Sequence, residues 1–98
     1  MNIEDLTYRK DIENLFKDCP KNITWYEEAD WLRETYSKEY LAEIYKSLYR
    51  DLCVIIDINN DHPESDYIRD CLDPVCLAGD RNLFKEKTNE VLIERGEI

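Results

Sequence analysis

From Thr24 to Ile56 the chain contains neither proline nor glycine. All 98 residues hold only two glycines and three prolines. An all-β sandwich or barrel needs a turn signal every few residues, so this chain is read as helical. The remaining question is how many helices the uninterrupted stretch contains.

Phase decides it. Trp25, Ala29, Leu32 and Tyr36 form one apolar stripe, and Leu41, Ile44, Tyr45, Leu48, Leu52 and Ile55 form another. At about 100° per residue the two stripes are centred roughly 140° apart. One straight helix would aim them at nearly opposite sides, so a break is expected near Ser37-Lys38, with Ser37 as cap. The earlier helix opens on a capping box, Thr24-Trp25-Tyr26-Glu27, in which hydroxyl and carboxylate each take a free backbone N–H. The later one, Lys38–Ile56, carries a Glu43–Lys46 pair on its surface. Leu52–Ile58 is apolar and β-branched enough for a strand, but no other strand is available to pair with it, so it is read as helical.

The flanks follow the same logic. Leu6–Asp18 places Tyr8, Ile12, Leu15, Phe16 and Cys19 on one face, with Asp5 or Thr7 as cap and Pro20 as terminator. After a polar loop, Asp57–His62, Pro63 suits the first position of a short helix with Tyr67, Ile68, Cys71 and Leu72 inward. Asp73-Pro74 is expected to open a separate turn that stops at Gly79. Asp80 can cap a last helix through Arg95, ended by Gly96. Leu, Ile, Val and Phe make 25 of 98 residues, above the roughly 20% below which charged chains stay disordered. The expected fold is all-α: one small domain over residues 1–98, with five or six short helices around one core.

Charge narrows the function. Thirteen Lys and Arg face 23 Asp and Glu, a net of −10, spread along the chain with no basic stripe. Neither direct nucleic-acid binding nor attraction to an anionic membrane is expected. No stretch reaches the ~18 apolar residues of a membrane span, and Met1–Leu15 lacks a cationic-then-apolar leader pattern, so a cytoplasmic protein is expected. Cys19, Cys53, Cys71 and Cys76 then read as buried thiols, not as a disulfide framework.

Chemistry-bearing motifs are lacking. Asp57-Ile58-Asn59-Asn60-Asp61 starts like a calcium loop, but His62 stands where glycine is needed and Ile68 where a bidentate glutamate is needed. His62, the sole histidine, has no C-x₂-C knuckle to join for zinc. Two glycines cannot build a phosphate loop. No catalytic residue, metal or cofactor is expected, and the chain is read as a non-enzyme.

Two surfaces stand out. Trp25 to Tyr40 interleaves two tryptophans and three tyrosines with five acids. With Trp25, Ala29, Leu32 and Tyr36 inward, Tyr26 and Trp31 fall at the rim or outside, beside Glu27, Asp30 and Glu34. Aromatic anchors among acids suit a hot spot aimed at a basic surface. Packing of Trp31 on another helix of the same core is the competing reading. The second surface is the acidic loop and helix start Asp57–Asp70, with Asp61, Glu64 and Asp66 around Tyr67; carboxylates also favour a helix N-terminus for structural reasons.

In size, acidity and helical character the chain resembles nuclease-immunity proteins and phage-encoded inhibitors of host defence. The likeness is one of kind, carried by no residue string. It implies an acidic inhibitor, such as an immunity protein or antitoxin, that occludes the active site of a basic toxin or nuclease. The alternative is a helical adaptor or assembly subunit whose charge serves solubility alone. Self-association is not addressed by the sequence.

Overall fold

The computed structural model describes residues 2–98 and contains no strand among them. A 3₁₀ turn, Ile3–Asp5, precedes five helices: α1 (Tyr8–Leu15), α2 (Trp25–Thr35), α3 (Lys38–Ile58), α4 (Pro63–Ala78) and α5 (Arg81–Glu94). The longest, α3, is the spine, packed against α1, α4 and α5, while α2 lies on α4. The molecule measures 35 × 27 × 19 Å.

Local chemistry sets most helix ends. At α2 the capping box is complete: Thr24 Oγ1 accepts from the Glu27 N–H at 3.2 Å, and the Glu27 carboxylate accepts from the Thr24 N–H at 3.3 Å. Ser37 Oγ accepts from the Tyr40 N–H at 3.1 Å, so the chain breaks where the two stripes fall out of phase. His62 caps α4 through Nδ1, ahead of Pro63. Asp80 accepts from the Asn82 and Leu83 N–H groups. At the far end of α5, Gly96 takes φ of +77°, and the Gly96 and Glu97 N–H groups donate to Ile93 and Leu92. That is the paired closure of a helix end for which glycine is suited.

Four expectations need correction. α1 runs from Tyr8 and ends at Leu15, not at Asp18, because the Tyr36 hydroxyl takes the Leu15 carbonyl at 2.8 Å and Phe16 folds into the core. Thr7, not Asp5, holds the N-cap position of α1, but its side chain accepts no helix N–H; Asp51 of α3 accepts from the Thr7 N–H at 3.2 Å instead. Pro74 does not open a separate turn. It sits buried inside one continuous helix, where burial against the other helices outweighs the ~3 kcal/mol that a proline costs a helix interior. Finally, Glu43 and Lys46 do not pair with each other: Glu43 binds Lys87, and Lys46 binds Glu90 and Glu94, all on α5. The Cys53–Ile58 stretch is helical, since Leu52 and Ile55 bury against α4 and α1.

Two apolar clusters share α3 and α4. One joins Leu15, Ala29, Leu32, Leu41, Ala42, Val75, Ala78 and Phe84; the other joins Tyr8, Ile12, Leu48, Leu52, Ile55, Ile68 and Leu72. Gly79 is where α4 gives way to α5, and its lack of a side chain matters sterically. A Cβ there would run into the Phe84 ring, which lies stacked on Tyr45 at 4.5 Å.

Candidate functional site

The helical period distributes the side chains of α2 unevenly around its axis. Ala29 and Leu32 are fully buried, while Glu27, Asp30 and Glu34 line the opposite side, all exposed. Each keeps free acceptor capacity. Glu27 uses only Oε1, in the cap; Asp30 uses only Oδ1, toward Arg33 at 2.8 Å; Glu34 has no partner among the described residues. Arg33 is the one cation of α2, and its Nη2 donates to the Leu77 carbonyl of α4 at 3.0 Å. The strip is therefore negative and not neutralised by its own helix.

Aromatic groups frame this strip. Tyr26 is 58% exposed and Trp25 is 43% exposed, with ring centroids 4.0 Å apart. The exposure of Trp25 corrects its expected place on the inner face. Its direction is inward by period, but it is the first residue of α2, and the buried residues of that helix begin only at Ala29. At the other end Tyr40, also exposed, stacks on Tyr36 at 4.9 Å. Trp31 sits differently: it is half-buried, packed on the cluster that holds Ala29 and Leu32, with its ring edge-on to Tyr36 at 5.9 Å. The competing reading of Trp31, as a core-packing residue, describes its contacts.

The second surface has more internal partners. Glu64 is held by Arg9 of α1, whose guanidinium also lies 5.0 Å from the Tyr67 ring centre. Burial opposes ionisation of Glu64, but the Arg9 and Tyr8 side chains outweigh it and hold its carboxyl below the ordinary range. Tyr67 is half-buried, edge-on to Tyr8 at 6.4 Å. Asp66 is bridged to Arg69 at 3.4 Å, and Asp61 is exposed, its N–H bonded to Asn59 Oδ1. Asp57 belongs to the last turn of α3 and pairs with Arg95, so the Asp57–Asp61 stretch does not form one loop. Among the described hydrogen bonds and ion pairs, none joins this set to the α2 strip.

The sequence reading missed one feature here. A cleft of about 770 Å³ opens between the 3₁₀ turn, α1 and the start of α4, lined by Ile3, Leu6, Tyr8, Arg9, His62 and Glu64, among others. No local pattern could have found it, since its walls come from segments about fifty residues apart.

The thiols also differ from expectation. Cys19, Cys53 and Cys71 are half-buried and Cys76 is exposed on α4; all four are free. Desolvation pushes the Cys71 thiol up to about 11, which leaves it protonated and inert at neutral pH. Among the described residues no three His, Cys, Asp or Glu side chains converge as metal ligands, and no helix is long and apolar enough to cross a membrane. The chain matches no protein-family model, and neither curated proteins nor solved structures give a match to it.

Proposed function

We propose that this chain is a stoichiometric protein inhibitor that covers a basic surface of its partner, as an immunity protein or antitoxin covers a toxin or nuclease. The observation that carries the reading is the outer strip of α2. Glu27, Asp30 and Glu34 keep free carboxylate oxygens there, beside the exposed Trp25 and Tyr26 rings. Acids of this kind steer a cationic partner and match its charge, and aromatic rings supply contact area that loses water on docking. Carboxylates so placed can occupy the positions that substrate phosphates would take. The segment around Asp61, Glu64 and Asp66 is a weaker candidate, because Arg9 and Arg69 already answer two of its three acids. The reading assigns no reaction to the chain.

The test is the association rate with a basic protein recovered from the native host, measured for wild type and for Glu27→Gln/Asp30→Asn/Glu34→Gln. Gln still serves a capping box, so the fold of the variant is retained. Association of wild type should be faster than that of the variant at low salt. The gap should close as the screening length falls from ~10 Å at 0.1 M to ~3 Å at 1 M. Co-expression of wild type should restore growth to cells producing the partner. An acidic or neutral natural partner, or rates indifferent to salt in both proteins, would favour the assembly-subunit reading instead.

A further inference from the structure

Resting on that reading, we infer that the α2 strip recognises arginine in particular: a guanidinium stacks on the exposed Trp25–Tyr26 pair while its N–H fork reaches the carboxylates beside it. The strip's own arginine, Arg33, is engaged with Asp30 Oδ1 and the Leu77 carbonyl, so it covers neither aromatic ring and leaves Asp30 Oδ2 free. Tyr26 and Asp30 are one helical turn apart, which puts their side chains on neighbouring positions of one face, about 5–6 Å between Cβ atoms. Glu27 and Glu34 continue the same strip on either side of Asp30. A planar cation lying against the Tyr26 ring therefore has unfilled acceptors within a turn of it.

The molecule already contains an arrangement of this kind within itself. Arg9 lies 5.0 Å from the Tyr67 ring centre and 5.8 Å from that of Tyr8, while it is bonded to Glu64. Ring, guanidinium and carboxylate are all supplied there by one chain. On α2 the rings and the carboxylates are present and the guanidinium is the missing member. Lysine fits less well. Its ammonium is compact and strongly hydrated, cannot lie flat on a ring, and offers no fork for a carboxylate. Charge alone would treat the two cations alike; the exposed rings are what distinguishes them.

The experiment uses the full chain carrying Trp31→Phe, so that Trp25 is the only tryptophan. It is titrated with oligoarginine and with oligolysine peptides of equal length at low salt, reading Trp25 emission and, separately, affinity by calorimetry. Oligoarginine should bind about two- to fivefold tighter, the factor an exposed cation–π contact supplies, and should alter Trp25 emission more than oligolysine does. Replacing Tyr26 by alanine, and separately Trp25 in an otherwise wild-type chain, should remove most of the arginine preference and leave oligolysine affinity unchanged. Equal affinity for the two peptides, or a preference that survives both alanine variants, overturns the arginine inference while leaving a basic partner possible. Absence of binding by either peptide overturns the arginine inference and counts against a basic partner as well.

Discussion

Along the seam between α3 and α5, Lys87 reaches Glu43 at 2.7 Å and Glu90 at 3.5 Å, Lys46 reaches Glu90 and Glu94, and Arg50 joins Glu94 at 3.0 Å. Tyr45 and Thr88 exchange a hydrogen bond beneath them at 3.2 Å. Along the outer strip of α2, three carboxylates of the same kind meet a single arginine that is largely spoken for. The seam uses charge to join two helices of one molecule; the strip leaves charge directed outward. The net charge of −10 is therefore not a uniform coat. Where acids are matched they belong to the fold, and where they are unmatched beside exposed rings they are free for a partner.

The largest expected effect separates core from strip. Leu48, fully buried on α3, should cost about 2–5 kcal/mol of stability on truncation to alanine, whereas Tyr26→Ala should stay within about 0.5 kcal/mol. Trp31→Ala should fall between them, at about 2 kcal/mol, because the ring is half-buried against the core. Denaturant unfolding of the three variants checks the order; a Trp31 variant as stable as the Tyr26 variant would return Trp31 to the exposed surface.

Next in size is Gly79→Ala, expected to cost about 1–3 kcal/mol by forcing the Phe84 ring off Tyr45. A near-native melting temperature would mean that the ring has room to move.

Neutralising three carboxylates in each place tests whether seam and strip differ. Glu43→Gln/Glu90→Gln/Glu94→Gln should lower the melting temperature at low salt, by stranding Lys46, Arg50 and Lys87. Glu27→Gln/Asp30→Asn/Glu34→Gln should leave it unchanged or raise it slightly, because like-charge repulsion falls and only one ion pair is lost. Both differences should shrink in high salt. Equal losses in both variants would erase the distinction between seam and strip.

The smallest effect concerns pH. Asp51 is buried, and desolvation raises its pKa above the ordinary value despite the N–H groups of Thr7 and Tyr8 that it accepts. A carboxyl with a raised folded-state pKa binds its proton more tightly in the native state. Its contribution is therefore fully present at pH below the unfolded pKa and is lost as pH rises through the folded one. Asp51→Asn, still able to accept from Thr7, should gain on wild type across that rise and hold the gain at neutral pH. Thermal melts of both proteins between acid and neutral pH measure this, and a variant whose stability relative to wild type falls as pH rises would reverse the sign.

Much of the helix arrangement was legible because it rests on local chemistry. Thr24, Ser37, Asp80 and Gly96 act within a turn of themselves, and the phase shift between two stripes locates a break without any knowledge of neighbours. The candidate strip was half legible for the same reason: Glu27, Asp30 and Glu34 share a face by period alone. Its aromatic members were not. Trp25 points inward by period and is exposed by position, and Trp31 points toward the rim and is packed. Period fixes a side chain's direction around its own helix, but whether something lies in that direction depends on the other helices.

By itself, then, the amino-acid order determined an all-helical chain, where most of its helices begin, and its excess of acid, since each depends on residues a few positions apart. Only the tertiary structure decided that Asp51 would cap α1, that Pro74 would stay inside α4, that Lys46 would choose α5 over Glu43, and which carboxylates would be left without a cation. Those outcomes turn on contacts between residues roughly forty positions apart or on burial in a shared core. Such contacts form when helices pack, and a local reading of the chain has no term for them.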